Sequence, residues 1–160
     1  MGRDSYRSGE KFRTLPLRIS EGCGMMDIFA DAVYWVALIN PRDQLHEQAR
    51  EASIALSGVR IITSEWVLTE LLNCFAEGKP ELRRGASNVV ASIRASTNVV
   101  IIPQTSSGFT AAFQLYRDRT DKGWSLTDCS SFLIMRQYGI DSALTFDKHF
   151  EQAGFSALLR

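Results

Sequence analysis

The chain carries no surplus of either charge, since Lys plus Arg and Asp plus Glu both total 18. That balance argues against a general polyanion binder and leaves room for a local basic groove. Cysteine is scarce: Cys23, Cys74 and Cys129 are odd in number, unevenly spaced and form no CxxC pair. They read as free thiols of a reducing compartment rather than a disulfide framework or a metal site. No apolar run approaches the roughly 20 residues of a membrane span, and the N-terminus lacks the apolar core of a signal peptide. Repeats, low-complexity tracts and a second domain are also missing. The expectation is a soluble, cytoplasmic protein with 160 residues, enough for one core without staples.

Residues 1–24 differ from the rest. They mix Arg3, Arg7, Lys11, Arg13 and Arg18 with Gly and Ser and sustain no period. The composition reads as a flexible N-terminal extension, or as sequence upstream of a true start at Met25 or Met26, leaving one domain over residues 25–160.

From Met26 onward strand and helix signals alternate. Residues 27–30 are a short strand candidate, followed by a helix over 31–39 and an Asn40-Pro41 stop. A helix over 43–57 places Leu45, Ala49, Ala52 and Leu56 on one face. Gly58 breaks it, and 59–62 is the second strand. Thr63 or Ser64 caps a helix running to about Ala76. The turn Gly78-Lys79-Pro80 leads into a helix over 81–95, and the wholly apolar 99–102 is a third strand ended by Pro103. Helices over 107–121 and 126–138 follow, the latter stopping at Gly139, the expected left-handed residue. Residues 142–146 form a fourth strand and 155–159 a candidate fifth. Short apolar strands separated by helices predict an α/β fold, a three-layer α/β/α sandwich around a central, mainly parallel sheet of four to five strands.

Four acids stand at the edges of these apolar elements: Asp31, Glu70, Asp128 and Asp147. In open parallel sheets a site forms at the carboxyl ends of the strands, and Asp31 and Asp147 each directly follow a strand. Asp128 falls in the first turn of its helix, where the dipole is expected to lower its pKa and keep it ionised. Glu70 lies on an otherwise apolar helix and is expected to face inward. Each acid has a purely structural reading as well. Asp31 fits a helix N-cap, Asp128 the third helical position of a Ser125 capping box, and Asp147 a turn aspartate bonding its own backbone. Taken together, converging carboxylates make a site for a hard divalent cation, Mg²⁺ or Mn²⁺, and point to phosphate chemistry.

The order of these motifs carries a resemblance. Asp31 after its strand, Thr69-Glu70-Leu71-Leu72, Ser125-Leu126-Thr127-Asp128-Cys129, and Leu144-Thr145-Phe146-Asp147-Lys148-His149-Phe150 with Gly154-Phe155 behind it resemble the PIN domain. Within that family the pattern is most similar to the VapC-type toxins of toxin–antitoxin pairs. The resemblance spans essentially Met26 to the C-terminus. It implies an endoribonuclease dependent on Mg²⁺ or Mn²⁺, with Asp31, Glu70, Asp128 and Asp147 as metal-binding and catalytic residues and products carrying a 5′-phosphate. It also implies a cognate antitoxin partner and a homodimer. One departure stands out: the family usually has Thr or Ser directly after the first aspartate, where this chain has Ala32. Thr145, on the same strand face as Asp147 by alternation, is the candidate for a supporting hydroxyl.

Candidate RNA contacts are Lys148, His149 and Trp124, with Arg117, Arg119 and Lys122 near the same turn and Lys79, Arg83 and Arg84 as a second cluster. Solvated surface is the competing reading for the cations, and a packed lid for Trp124. Trp35 and Trp66 read as core, and His46 as an exposed helix residue. The helices over 43–95 offer apolar grooves for an antitoxin helix. Two other functions fit less well. Ala32 leaves open a PIN-like binding module that has lost turnover. A receiver domain would need an acid pair at the first strand, whereas Asp31 is followed by Ala32-Val33.

Overall fold

The computed structural model describes residues 26–160, so the expectation of a flexible extension over 1–24 and the state of Cys23 lie outside the described residues. Five strands form one sheet: β1 (Asp27–Ala30), β2 (Arg60–Ser64), β3 (Val99–Ile102), β4 (Ser142–Leu144) and β5 (Ser156–Ala157). Their order is β3-β2-β1-β4-β5 and every pairing is parallel. The chain builds outward from β1 to β3, then returns to β1's other side with β4. The crevice where the strand order reverses is therefore between β1 and β4, the place where ligands bind in open α/β sheets.

Helices α1 (Ala32–Ile39), α2 (His46–Ala55), α3 (Glu65–Cys74), α4 (Pro80–Ala95), α5 (Ser106–Asp118), α6 (Leu126–Tyr138) and α7 (Lys148–Gln152) flank this sheet. Their ends follow local chemistry. Ser64 and Thr105 accept backbone N–H groups as N-caps of α3 and α5, Pro80 opens α4, and Gly139 closes α6 at φ +64°, a left-handed position that costs a residue with a Cβ. The core runs through Phe29, Leu71, Phe132, Met135, Leu144 and Phe150, all fully buried. Phe132 is its hub, edge-on to Trp124 and Phe150 with centroids 4.9 and 5.0 Å away.

The expected sandwich is the one observed, with several elements shorter than expected and one that was not expected. Asp43 does not start α2; its carboxylate accepts the Leu45 N–H at 2.9 Å, a turn that delays the helix. Helix α5 stops at Asp118, because Arg119 leaves the spiral to hold Asp121 through two hydrogen bonds of 2.8 and 3.0 Å. Strand β4 ends at Leu144, where Thr145 turns toward Asp31. The five-residue α7 escapes the sequence because it is too short to show a period.

Two side chains, Trp66 and His46, sit differently from expectation. Trp66 is only half-buried and stacks on Phe109 (centroids 5.9 Å), which stacks on Phe113 (6.3 Å), forming an aromatic ridge on α3 and α5. Phe109, Phe113 and Tyr116 of this ridge are exposed. His46 is half-buried, with its Nδ1 2.7 Å from the carbonyl of Ala37. No helix among the described residues is long and apolar enough to cross a membrane.

Candidate metal centre

Strand β1 is the sheet's middle strand, and its last residue delivers Asp31 to the carboxyl edge. Asp31 occupies the N-cap position of α1, but its side chain makes no capping bond there. Instead its Oδ2 accepts the Thr145 hydroxyl at 2.9 Å. Thr145, fully buried, accepts in turn the Asp147 N–H at 3.0 Å. One hydroxyl thus joins the first and last acids of the sequence pattern. Asp31 is 6% exposed. Burial raises its pKa from the ordinary 3.8 to about 7; hydrogen bonds from Thr145 and the Ala32 backbone oppose the rise, and the charges of Glu70 and Asp128 add to it.

Asp128 is held by its capping box: Ser125 N–H donates to its Oδ2 at 2.7 Å, and its own N–H donates to Ser125 Oγ at 3.0 Å. The structural and the site readings of this residue are both satisfied by one geometry. Its pKa is raised, contrary to the dipole argument. Desolvation outweighs the helix N-terminus and the Ser125 hydrogen bonds, and the Asp147 charge pushes the same way. Asp147 caps α7 by accepting the His149 N–H at 2.8 Å. Glu70 is half-buried on α3 rather than fully inward, yet it is close enough to raise the pKa of Asp31. Repulsion therefore links the four in a chain, Glu70 to Asp31 to Asp128 to Asp147. A cation relieves all of it at once.

His149 enters this cluster. Its Nδ1 lies 3.3 Å from Oδ2 of both Asp128 and Asp147. That nitrogen is shielded from solvent and has no hydrogen-bond partner. Asp128, Asp147 and His149 offer donor atoms within 4.8 Å of one another. An oxygen-rich set with one orphaned nitrogen fits a divalent cation. The sequence offered His149 only as an RNA contact; the signal that it belongs to the cluster is its position two residues after the Asp147 N-cap, which brings its ring back beside that carboxylate.

The other candidates separate. Trp124 is buried, edge-on to Phe132, with the Arg119 guanidinium 4.6 Å from its ring centroid and its Nε1–H directed at Gln152 Oε1 (3.3 Å). It is packed into the core instead of presenting a face to a base. Arg119 is committed to Asp121, Arg117 to Gln114, Arg83 to the Ala76 carbonyl and Arg84 to Glu81. Lys122 lies 3.8 Å from Asp121. Among the described residues Lys148, exposed and adjacent to Asp147, is the cation beside the site with no ion-pair partner. Ala32 is 3% exposed at the first position of α1. Cys129 is buried and Cys74 exposed, both as free thiols.

The family model of the PIN domain matches residues 28–156. The chain is 33% identical over 131 residues to the 23S rRNA-specific endonuclease VapC20 of Mycobacterium tuberculosis, in both strain CDC 1551 / Oshkosh and strain ATCC 25618 / H37Rv, a match covering 80% of this chain and 95% of the relative. The crystal structure of Mycobacterium tuberculosis VapC20, a Sarcin-Ricin loop cleaving toxin, aligns with a TM-score of 0.71 at 31% identity, covering 80% of this chain and 95% of that one.

Proposed function

Because the chain belongs to the PIN-domain family, we propose that it is an endoribonuclease dependent on Mg²⁺ or Mn²⁺, the toxin of a toxin–antitoxin pair. What supports the reading is the cluster of Asp128, Asp147 and His149, with donor atoms within 4.8 Å of one another, beside the buried Asp31, whose carboxyl is pushed up to about 7 by burial and, less, by the charges of Glu70 and Asp128. A solvated or merely structural acid gains nothing from such burial, whereas a cation ligand does.

Asp31, Glu70, Asp128 and Asp147 would hold the ion, which when bound polarises a phosphate and lowers the pKa of an attacking water. The chain's own groups supply the rest. Thr145 engages Oδ2 of Asp31 with its hydroxyl and so sets the orientation in which Oδ1 is left for the ion. The capping box holds Asp128 in one rotamer. Lys148 stands where a phosphate of the bound strand can meet a positive charge. The site opens on polar surface with Glu70 and Asp147 half-exposed, as a polymeric substrate requires.

The relative acts on 23S rRNA, so a ribosomal RNA hairpin is the first substrate to assay. RNA as substrate and an antitoxin as partner place the action in the cytoplasm. The exposed ridge of Phe109, Phe113 and Tyr116 supplies apolar surface for a homodimer contact or an antitoxin helix, beside the expected 43–95 segment, where Ile54 and Leu72 are also exposed. The test is cleavage of a ribosomal hairpin and of a mixed single-stranded pool with Mg²⁺ or Mn²⁺, beside EDTA and Asp31→Asn. The expected result is metal-dependent cutting, lost in the variant, with 5′-phosphate products. Metal binding without cutting of any RNA would instead support a binding module, the reading that Ala32 in place of Thr or Ser first suggests.

A further inference from the structure

We propose that His149 is itself a ligand of the site cation, through Nδ1, and that this nitrogen biases the site toward Mn²⁺ and later transition metals over Mg²⁺. The inference rests on the preceding reading that the acids bind a divalent ion, and it adds a donor that the four-carboxylate pattern does not contain.

The argument begins with an unused atom. Nδ1 of His149 is shielded from water and bonded to nothing, a state buried polar nitrogens rarely occupy. It is nevertheless 3.3 Å from each of two carboxylate oxygens, one from α6 and one from the cap of α7. A ring nitrogen serving as a simple hydrogen-bond donor would choose one oxygen and approach it in line. Equal distance to both, with all three atoms within 4.8 Å of one another, leaves room for a common centre between them. In a near-octahedral site with bonds of about 2.0–2.1 Å, neighbouring donors lie about 3 Å apart, close to the spacing found.

The ring is also held in place before any ion arrives. The His149 backbone N–H is fixed on Asp147 Oδ1 at 2.8 Å, leaving Oδ2 of that carboxylate toward the ring. The Nε2 edge faces the turn at Gly123, where an added Cβ would stand 3.8 Å from it. The side chain keeps only 22% exposure. Little motion is needed to bring Nδ1 onto an ion between Asp128 and Asp147.

The chemistry then sets the preference. Mg²⁺ favours oxygen donors and retained waters, while imidazole suits the transition metals, and affinity for a nitrogen-containing set rises from Mn²⁺ onward. Replacing an oxygen-only shell by one with imidazole therefore moves selectivity away from Mg²⁺.

The experiment uses the full chain, stripped with chelator. Calorimetric titration with Mn²⁺ and with Mg²⁺ gives the affinity ratio, and pulsed electron paramagnetic resonance of the Mn²⁺ complex reads nitrogen bound to the ion. The expected result is a histidine nitrogen coupling in the wild type that changes on ¹⁵N-histidine labelling and is lost in His149→Gln, with a Mn²⁺ over Mg²⁺ preference about tenfold smaller in that variant. The labelling measurement needs no variant, so poor folding of His149→Gln leaves the test intact. Mn²⁺ binding that Asp31→Asn weakens but that shows no nitrogen coupling would overturn the histidine assignment and leave the carboxylate site standing. No binding of either ion to the wild type would overturn both.

Discussion

Thr145 donates its hydroxyl to Asp31 Oδ2 at 2.9 Å while accepting the Asp147 N–H at 3.0 Å, and so ties β1 to β4 at the edge where the acids meet. Thr145→Val keeps the volume and removes both bonds. It should lower stability by about 1–3 kcal/mol, because a buried carboxylate oxygen and a backbone N–H lose their partner. Thr145→Ser should restore most of it. Urea unfolding of the three proteins in chelator checks the order, and a Thr145→Val protein as stable as wild type would show that the bonds contribute nothing net.

The buried Asp31 makes stability depend on pH in a definite direction. Its pKa rises from 3.8 to about 7 on folding, so the unfolded chain ionises first as pH increases. Without a cation, stability from this group is lost as pH climbs from about 4 to 7, with a total on the order of 4 kcal/mol, and the loss is complete above 7. Asp31→Asn should therefore be more stable than wild type in chelator at pH 8, with the gain shrinking toward zero near pH 4. Saturating divalent ion should reverse the order at pH 8, since only the wild type gains the full binding energy. The same proton competes with the ion, so cation affinity should fall as pH drops below 7. Thermal unfolding across this range, with and without Mn²⁺, measures all three.

Ser125 and Asp128 test the capping box apart from the chemistry. Ser125→Ala deletes the acceptor for the Asp128 N–H but leaves the Ser125 N–H on Asp128 Oδ2. The expected cost is about 1 kcal/mol, or roughly 2–4 °C in Tm for a chain of this size. Cation affinity should change less than threefold, because the carboxylate keeps its backbone donor. A larger loss of affinity than of stability would show that the hydroxyl, not the backbone, orients the acid.

The sheet's other end offers a test of register. Arg60 and Asp27, directly paired neighbours on β2 and β1, share two hydrogen bonds of 2.6 and 2.5 Å and are partly buried. Such a bidentate pair should contribute about 1–3 kcal/mol. Asp27→Ala and Arg60→Ala should each destabilise, and the double variant should cost less than their sum, as a double-mutant cycle in urea would show.

Much of this molecule could be read from its residues. Strands such as Val99–Ile102, helix stops such as Gly139, and the acids Asp31 and Asp147 after strands carry strong local signals, because turn chemistry and apolar runs act over a few residues. What stayed hidden depends on residues distant in sequence. Nothing near Asp128 reveals that burial overrides its helix dipole, since the burying groups come from other elements. Trp124 looks like a lid or a stacking ring until Phe132 and Arg119 are seen against it. His149 becomes a donor only when α6 and α7 are brought together. Strand alternation singled out Thr145 as a supporting hydroxyl, but β4 ends at Leu144, so the residue acts from the turn beyond it, and its acceptor, 114 positions earlier, left no local signal.

The sheet order has a consequence for how the protein is made. Asp31 and Glu70 are synthesised early, on strands and helices that can pair as soon as β2 and β3 are complete. Their counterparts, Thr145 after β4 and Asp147 at the cap of α7, are synthesised only after α6. A growing chain therefore holds half a cluster of carboxylates and none of the hydroxyl that orders it. The carboxylate cluster is completed only once β4 has paired with β1 and α7 has formed behind it.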